Sequence, residues 1–394
     1  TLNDQAAPTV TSIVRQSPAT ASTNASSVTF RVTFNEDVQN VDATDFAVTG
    51  GGSASVTGVS TETANSVFDV TVGNIDAEGT VDLGFAGGQN IVDNSSNAFA
   101  GVIGSEETYT IDLTAPTVTS VSSTTADGTY KVGDIVVVTV TFSEAVTVTG
   151  TPQITLETGT TDRTVDYTAG TGTSTLSFNY TVQSGDQNSD LDYVNVNSLS
   201  LNSGTIADAV GNNATLTLPT PGEANSLGAN KAIGVDGVAP VFSAVSPATG
   251  GRVNNANVGY TLSEALASGT VTFTRTSGTA DGNSPHVVTL TGNELDAGVR
   301  ALSALTNAPN LVDGAVYTIS FNGTDAAGNS ATTVSSSSVT FDSSSPVFSA
   351  VSPSSGSTVN HARVGYTLSE TLASGTITFT RTGGTADASS PHVV

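Results

Sequence analysis

The chain has 394 residues, a net charge of −25 and no cysteine, methionine or tryptophan. The lack of cysteine excludes a disulfide framework and a thiolate metal site, and the excess of carboxylates disfavours binding to nucleic acid or to an anionic membrane. No run is long enough for a membrane-spanning helix, so we expect no membrane insertion in this segment. Cations remain as natural partners; the alternative is that acidity keeps an extracellular chain soluble.

An acidic residue followed within a few positions by a proline recurs along the chain and divides it. The prolines are Pro8, Pro116, Pro240 and Pro346. Each one opens a β-rich run, and repetition at domain-sized intervals indicates a tandem array. The predicted domains are repeat 1 (1–111), repeat 2 (112–235), repeat 3 (236–341) and an incomplete repeat 4 (342–394).

Repeat 1 shows the pattern that fixes the fold class. Its runs Ser27–Phe34 and Ser66–Val72 alternate apolar with polar side chains, which is typical of half-buried strands. Turn-forming residues such as Asp93–Asn97 separate these runs. We therefore predict an all-β fold, a tandem array of immunoglobulin-like (Ig-like) antiparallel β-sandwiches, with Phe30 and Phe34 in the core.

Repeat 2 has the clearest landmarks. We predict a strong strand over Asp134–Phe142, which ends just before Glu144. An acidic turn at Asp208–Asn212 precedes a further strand at Ala214–Leu218. The segment Pro219–Asn230 makes this repeat longer than its neighbours, and we interpret it as a surface loop.

Repeat 3 carries the same landmarks, with Glu264 after a strand and an acidic turn at Asp325–Asn329. Repeat 4 matches the start of repeat 3: Pro346–Val394 is identical to Pro240–Val288 at 38 of 49 positions. We expect the array to continue beyond Val394 with a segment that resembles Thr289–Phe341. The alternative is that a strand from another subunit completes this half-domain.

These landmarks carry a resemblance to a known group. The chain resembles the bacterial immunoglobulin-like tandem repeats of large surface adhesins and cell-surface repeat proteins. Three features carry this resemblance: the acidic residue and proline at each junction, the Glu after an early strand, and the Asp-Ala-(Ala/Val)-Gly-Asn turn. Val148–Asp166 and Ser189–Tyr193 of repeat 2 are similar to such repeats as well, whereas repeat 1 departs from them at Asp93–Asn97. The resemblance implies a structural or adhesive role at the cell surface.

Catalytic patterns are missing from the sequence. Of three histidines, His286 and His392 occupy equivalent repeat positions, which favours a structural role. No nucleophile elbow, zinc motif or phosphate-binding glycine loop occurs. The pair Asp190 and Asp192 is interpreted as a solvated strand edge. We therefore expect no enzyme and no catalytic residue.

The topology of an Ig-like sandwich predicts calcium sites at the domain junctions, because the junction, the end of the second strand and the acidic turn share one pole. Carboxylate and amide oxygens suit a hard cation, and Ca²⁺ tolerates irregular geometry. The alternative is that the aspartates cap turns and the glutamates are solvated. The candidate ligands are Asp112, Glu144, Asp208 and Asn212, then Asp236, Glu264, Asp325 and Asn329, then Asp342 and Glu370, with a looser match at Asp4, Glu36 and Asp93.

The leading hypothesis is a structural segment of a large secreted or cell-surface bacterial protein, which forms an extended rod, fibre or envelope layer stiffened by calcium. Its partners would be further repeats of the same protein, with self-assembly into a filament or surface layer. One alternative is an adhesin stalk. Another is a module that binds a glycan, protein or other cell-surface ligand, with the segment Pro219–Asn230 as the candidate, and a third is an accessory segment of a secreted hydrolase.

Overall fold

The computed structural model describes residues 5–394 and consists almost entirely of β-strands. The chain forms two compact units, the first reaching Val238 and the second running from Ala239 to Val394. The prediction of an all-β, Ig-like sandwich array is confirmed. In the described residues, no helix has the length and apolar character needed to cross a membrane.

Repeat 1 folds as two facing sheets in the first unit. Its strands are Val10–Ser17, Ser22–Thr23, Val28–Phe34, Val38–Gln39, Phe46–Thr49, Ser55–Thr63, Val67–Gly73, Gly79–Phe85, Val92–Asp93, Ile103–Glu106 and Tyr109–Ile111, with a 3₁₀ turn at Ala43–Asp45. Val28–Phe34 is the central strand of a five-stranded sheet, and Gly79–Phe85 lies inside a four-stranded one. Phe30 and Phe34 are buried between the sheets, as predicted.

Repeat 2 completes the first unit. Its strands are Val118–Ser123, Gly128–Lys131, Ile135–Thr149, Gln153–Glu157, Arg163–Ala169, Thr173–Thr181, Gln187–Asn188, Asp192–Tyr193, Leu199–Ser200, Thr205–Ala207 and Ile233–Asp236, with one helical turn at Leu227–Asn230. They make an eight-stranded and a three-stranded sheet. The segment predicted as a strand at Ala214–Leu218 contributes only one isolated bridge position, Thr215.

The long strand of repeat 2 runs over Ile135–Thr149. The prediction that it ends just before Glu144 is therefore wrong. The register of the strand against Thr173–Thr181 shifts between Thr141 and Val146, and beyond that point it pairs with Thr205–Ala207. The strand therefore changes partner across a bulge, which leaves Glu144 in the irregular stretch.

The surface-loop prediction for Pro219–Asn230 is wrong at its C-terminal end. Leu227 is fully buried in the repeat 2 core, because the short helix turns its apolar residue inward. The prediction of a solvated edge is likewise wrong for Asp192, which is buried and accepts a hydrogen bond of 3.0 Å from the backbone N–H of Gly222. That bond satisfies the buried carboxylate and fastens the segment to the sandwich.

Repeat 3 folds in the second unit. Its strands are Phe242–Ser246, Arg252–Val253, Val258–Leu262, Ser268–Gly278, His286–Thr289, Gly298–Ser303, Ala315–Thr324 and Val334–Phe341, with a 3₁₀ turn at Gly292–Glu294. Three of them form one sheet and five the other. Ser268–Gly278 and Ala315–Thr324 pair along their whole lengths in the five-stranded sheet, and their alternate side chains fill the core.

Residues 342–394 contain only the strands Phe348–Ser352, Gly365–Leu368, Thr378–Phe379 and His392–Val393, in two separate pairs. Three buried cores are found among the described residues, and each draws its members from within one of the three predicted complete repeats. The domain boundaries themselves stay a prediction.

Candidate cation site at the junction of the first two repeats

The acidic turn of repeat 2 is built by one aspartate. Asp208 Oδ1 accepts hydrogen bonds from the backbone N–H groups of Val210, Gly211 and Asn212, at 2.9, 2.7 and 2.8 Å. Gly211 has a φ of 99°, a conformation that glycine adopts readily. The local sequence thus fixes the orientation of a buried carboxylate.

Asn212 ties this turn to the linker and to repeat 1. Its Nδ2 group donates to Asp208 Oδ2 at 2.7 Å and to the backbone carbonyl of Asp112 at 2.9 Å. Its Oδ1 accepts from Asn24 Nδ2 at 3.2 Å. In this arrangement Asn212 positions the acidic residues through its side-chain nitrogen. That Asn212 is also a cation ligand stays a prediction.

Three predicted carboxylates come together at the junction. One oxygen each of Asp112, Glu144 and Asp208 lies within 4.8 Å of the others. Asp112 follows the strand Tyr109–Ile111, Glu144 lies in the bulge of the long strand, and Asp208 opens the acidic turn. The three side chains therefore reach one place from three separate elements.

The carboxylates perturb one another. Burial raises the pKa of Glu144 above its ordinary value, and the charges of Asp112, Asp208 and Glu78 raise it further. Burial also acts to raise the pKa of Asp208, but the hydrogen bonds from Asn212, Gly211 and Val210 outweigh it and leave that pKa below its ordinary value. An ionised Asp208 beside Glu144 makes the site strongly anionic.

Two residues at this junction have no counterpart among the sequence-based candidates. Glu78 accepts a hydrogen bond of 3.3 Å from the backbone N–H of Leu113 and another from the Thr114 hydroxyl. Asn24 bonds to Asn212 as described above. Both residues lie in repeat 1 loops without a recognisable motif, so no signal in the sequence marks them.

The acidic turn of repeat 3 has the same construction within the second unit. Asp325 Oδ1 accepts from the N–H groups of Gly328 and Asn329 at 2.7 and 2.8 Å, and Asn329 Nδ2 donates to Asp325 Oδ2 at 2.9 Å. A carboxylate oxygen of Glu264 lies within 4.8 Å of one of Asp325. Asp236 belongs to the first unit, and its part in a site stays a prediction.

The remaining candidates are less well placed. Asp342 Oδ2 lies 3.7 Å from an Arg252 guanidinium nitrogen, and Glu370 is half-buried. Neither belongs to a group of three carboxylates within residues 5–394. The same holds for Glu36 and Asp93, while Asp4 lies outside the described residues.

The repeated histidine is held by an aspartate. His286 Nε2 lies 2.7 Å from Asp281 Oδ2, which also accepts a hydrogen bond of 2.7 Å from the Tyr317 hydroxyl. His392 and Asp387 repeat the pair at 2.7 Å. The hydrogen bonds from His286 and Tyr317 lower the pKa of Asp281 to about 2. This geometry fits the structural role expected for the histidine, and the expectation that the chain is not an enzyme stays a prediction.

No family model and no curated protein matches the chain. The Escherichia coli adhesin FdeC is 13% identical over 84% of this chain and 96% of its own, with a TM-score of 0.27. A titin I-band fragment is 10% identical over 86% of this chain and 100% of its own (TM-score 0.29), and the FN1–FN3 domains of chicken CNTN1 are 8% identical over 84% and 98% (TM-score 0.22). At such identities the likeness concerns the fold alone, and the sheets described above carry the assignment of Ig-like sandwiches.

Proposed function

We propose that this chain is a structural segment of a large secreted or cell-surface bacterial protein, and that its tandem sandwiches build an extended rod, fibre or envelope layer. The proposal is supported by the separate core of each complete repeat, since a repeat that buries its own core can be added in series. The position of Asp112, Glu144 and Asp208 also supports the proposal, because these carboxylates lie at the junction between two repeats.

The observation that carries the proposal is the fastening of the linker between repeats 1 and 2. The backbone N–H of Asp112 donates to the Thr23 carbonyl of repeat 1 at 3.1 Å. On the repeat 2 side, Thr117 N–H donates to Ser143 Oγ at 3.0 Å, and Thr215 N–H donates to the Pro116 carbonyl at 2.8 Å. Such a linker transmits force between domains, in contrast to a flexible glycine-serine linker.

Calcium would complete this junction. Ca²⁺ binds oxygens at about 2.3–2.6 Å, so two of its ligands lie up to roughly 5 Å apart, and the 4.8 Å limit for Asp112, Glu144 and Asp208 fits that size. The two positive charges of the ion would offset most of the charge of the three converging carboxylates, and the ion would join the linker to the long strand and the acidic turn of repeat 2. In the second unit, Glu264 and Asp325 offer part of an equivalent set.

Calorimetry tests the calcium site. Extracellular modules bind Ca²⁺ with a Kd of roughly 10⁻⁴–10⁻³ M, and occupancy at ~100 times Kd would stabilise the fold by about 2.7 kcal/mol. Glu144→Gln removes one ligand charge and keeps the side-chain shape, so we expect it to reduce the calcium-dependent rise in the melting temperature of repeat 2. Glu223→Gln, at an exposed position outside the site, is the control and should leave that rise unchanged.

Small-angle scattering then separates a mechanical role from simple binding. If calcium stiffens the junction, removing it with a chelator should change the maximum dimension of the purified chain. An unchanged melting temperature together with an unchanged dimension, with or without Ca²⁺ at ~100 times that Kd, would refute the junction site. The assembly proposal is tested apart from it: filaments or layers formed by this chain alone support a polymer, and a monomer at every concentration overturns it in favour of a passive stalk.

A further inference from the structure

Two residues leave repeat 1 side by side at the pole that faces repeat 2. The strand Ser22–Thr23 pairs in parallel with the last strand of the repeat, Tyr109–Ile111, and the final residues of the two strands are in register. The residues that follow them, Asn24 and Asp112, therefore lie at the same edge of the sandwich. The backbone N–H of Asp112 also donates to the Thr23 carbonyl at 3.1 Å, which fastens the start of the linker to this pole.

Asn212 of repeat 2 contacts both of these residues. Its Nδ2 group donates to the Asp112 carbonyl at 2.9 Å, and its Oδ1 accepts a hydrogen bond of 3.2 Å from Asn24 Nδ2. A Cβ atom added to Gly211 would lie 3.6 Å from Asn24 Nδ2, so Asn24 packs on the acidic turn as well. The Asn24–Asn212 bond thus joins the bodies of the two repeats directly, without passing through the linker.

The acidic turn itself sets the orientation of the Asn212 amide. Asn212 Nδ2 donates to Asp208 at 2.7 Å, and the same bond occurs in the acidic turns of the other two complete repeats, from Asn97 at 2.7 Å and from Asn329 at 2.9 Å. This bond uses one of the two N–H groups of the amide and leaves the other N–H and the oxygen for contacts outside the turn. In repeat 2, the linker and repeat 1 bind these two groups.

We propose that the side chains of Asn24 and Asn212 form a latch between repeats 1 and 2, and that this latch restrains the relative orientation of the two repeats without any bound ion. Asn24 is a positioning residue, because the parallel strand pair holds it beside Asp112. Each partner is placed by its own repeat, so the bond forms with little further loss of conformational entropy. One hydrogen bond between neutral groups shifts such an equilibrium by roughly twofold to tenfold.

The latch also acts on the calcium site of the proposed function. Asn212 holds the backbone of Asp112, whose carboxylate belongs to the cluster with Glu144 and Asp208. Breaking the latch should therefore weaken calcium binding by roughly twofold to tenfold, because the cluster is less well preorganised. By linkage, calcium should restore the orientation that the broken latch releases. This consequence rests on the proposed function, whereas the latch itself does not.

Distances between two spin labels test the latch in the full chain. The chain has no cysteine, so Thr61→Cys in repeat 1 and Asn179→Cys in repeat 2, both at exposed positions, alone take the labels. With a chelator present, pulsed electron paramagnetic resonance should give one narrow distance distribution. Asn24→Ala removes the donor and should raise the population of other distances roughly twofold to tenfold. Asn24→Asp turns an oxygen toward Asn212 Oδ1 and should raise it further.

Asn94→Ala is the matched control. Asn94 Oδ1 accepts a hydrogen bond of 2.8 Å from Gln39 Nε2 within repeat 1, so its loss should leave the distribution unchanged. A distribution that stays narrow in both Asn24 variants would overturn the proposal, because the linker alone would then set the orientation. A broad distribution in the chain with Asn24 and Asn212 intact would overturn it as well.

Calcium titration of the same proteins is read separately. A weaker affinity in Asn24→Ala, with the affinity of Asn94→Ala unchanged, supports the coupling of the latch to the calcium site, and equal affinities in the two variants would overturn that coupling. If the unmodified chain binds no calcium, the proposed calcium site is wrong, and the distances measured with the chelator still decide whether the latch exists.

Discussion

Replacing a single core aromatic tests whether the repeats are independent folding units. Phe142 is 2% exposed, lies on the long strand of repeat 2 and belongs to a core without members from repeat 1 or repeat 3. Its register partner is Val118, on the first strand of the same repeat. Phe142→Ala therefore creates a cavity inside one core and removes no contact of another.

The expected cost follows from this burial. Truncating a buried Phe to Ala costs about 3–5 kcal/mol, because the transfer energy of the ring is lost and the cavity collapses only in part. A domain is stable by only ~5–15 kcal/mol, so the change removes a large share of the stability of repeat 2. For a domain of this size, the melting temperature should fall by roughly 10–25 °C.

Differential scanning calorimetry of the full chain measures this effect. We expect the transition of repeat 2 to move down and that of repeat 3 to stay in place, and Phe273→Ala should produce the reverse pattern. Thr147→Ala, on the exposed face of the same strand, is the matched control and should change stability by less than about 0.5 kcal/mol. One transition that moves as a whole in both core variants would refute the independence of the repeats.

Two further predictions concern the turns and the histidine pair. The pKa of Asp281 is lowered to about 2, so its ionised carboxylate stabilises the fold above its ordinary pKa near 3.8, and this stabilisation is lost as the pH falls toward 2. In thermal melts from pH 5 to pH 2, the melting temperature of Asp281→Asn should therefore fall less steeply than that of the unmodified chain. Parallel curves for the two proteins would contradict this. Gly211 has a φ of 99° and space for a Cβ, so Gly211→Ala should cost about 1–2 kcal/mol through the backbone alone. Ser96 occupies the equivalent position with a φ of 67°, and Ser96→Gly should not destabilise repeat 1 in urea unfolding; a loss in that variant would argue against backbone strain at the turn.

Repeat 1 shows how far a motif can be followed from the sequence. The segment Asp93–Asn97 departs from the glycine-containing pattern, yet Asp93 Oδ1 accepts from the N–H groups of Ser95 and Asn97 at 2.7 and 2.8 Å, much as Asp208 does in its own turn. The turn depends on an aspartate and on an asparagine four residues later, and the residue before the asparagine accepts a left-handed backbone with or without glycine. Judged by its sequence, repeat 1 departs from the other repeats because Ser96 stands where they have glycine, but the turn does not require that glycine.

The sequence by itself determined the features that depend on neighbouring residues. Alternation of apolar and polar side chains produces strands with one buried face, and the recurring junctions divide the chain into repeats. The aspartates of the acidic turns are likewise local, because each carboxylate bonds to backbone groups two to four residues away. These features need no knowledge of distant contacts.

Only the tertiary structure decided which distant residues meet. The long strand of repeat 2 continues past Glu144 because a bulge lets it change partner, and Leu227 enters the core because the helical turn folds back onto the sandwich. Glu78 and Asn24 reach the junction from loops whose paths depend on the packing of repeat 1 against repeat 2. Strand periodicity constrains which face a side chain occupies, but loop paths and domain packing set the few ångströms that bring separate carboxylates into one cluster.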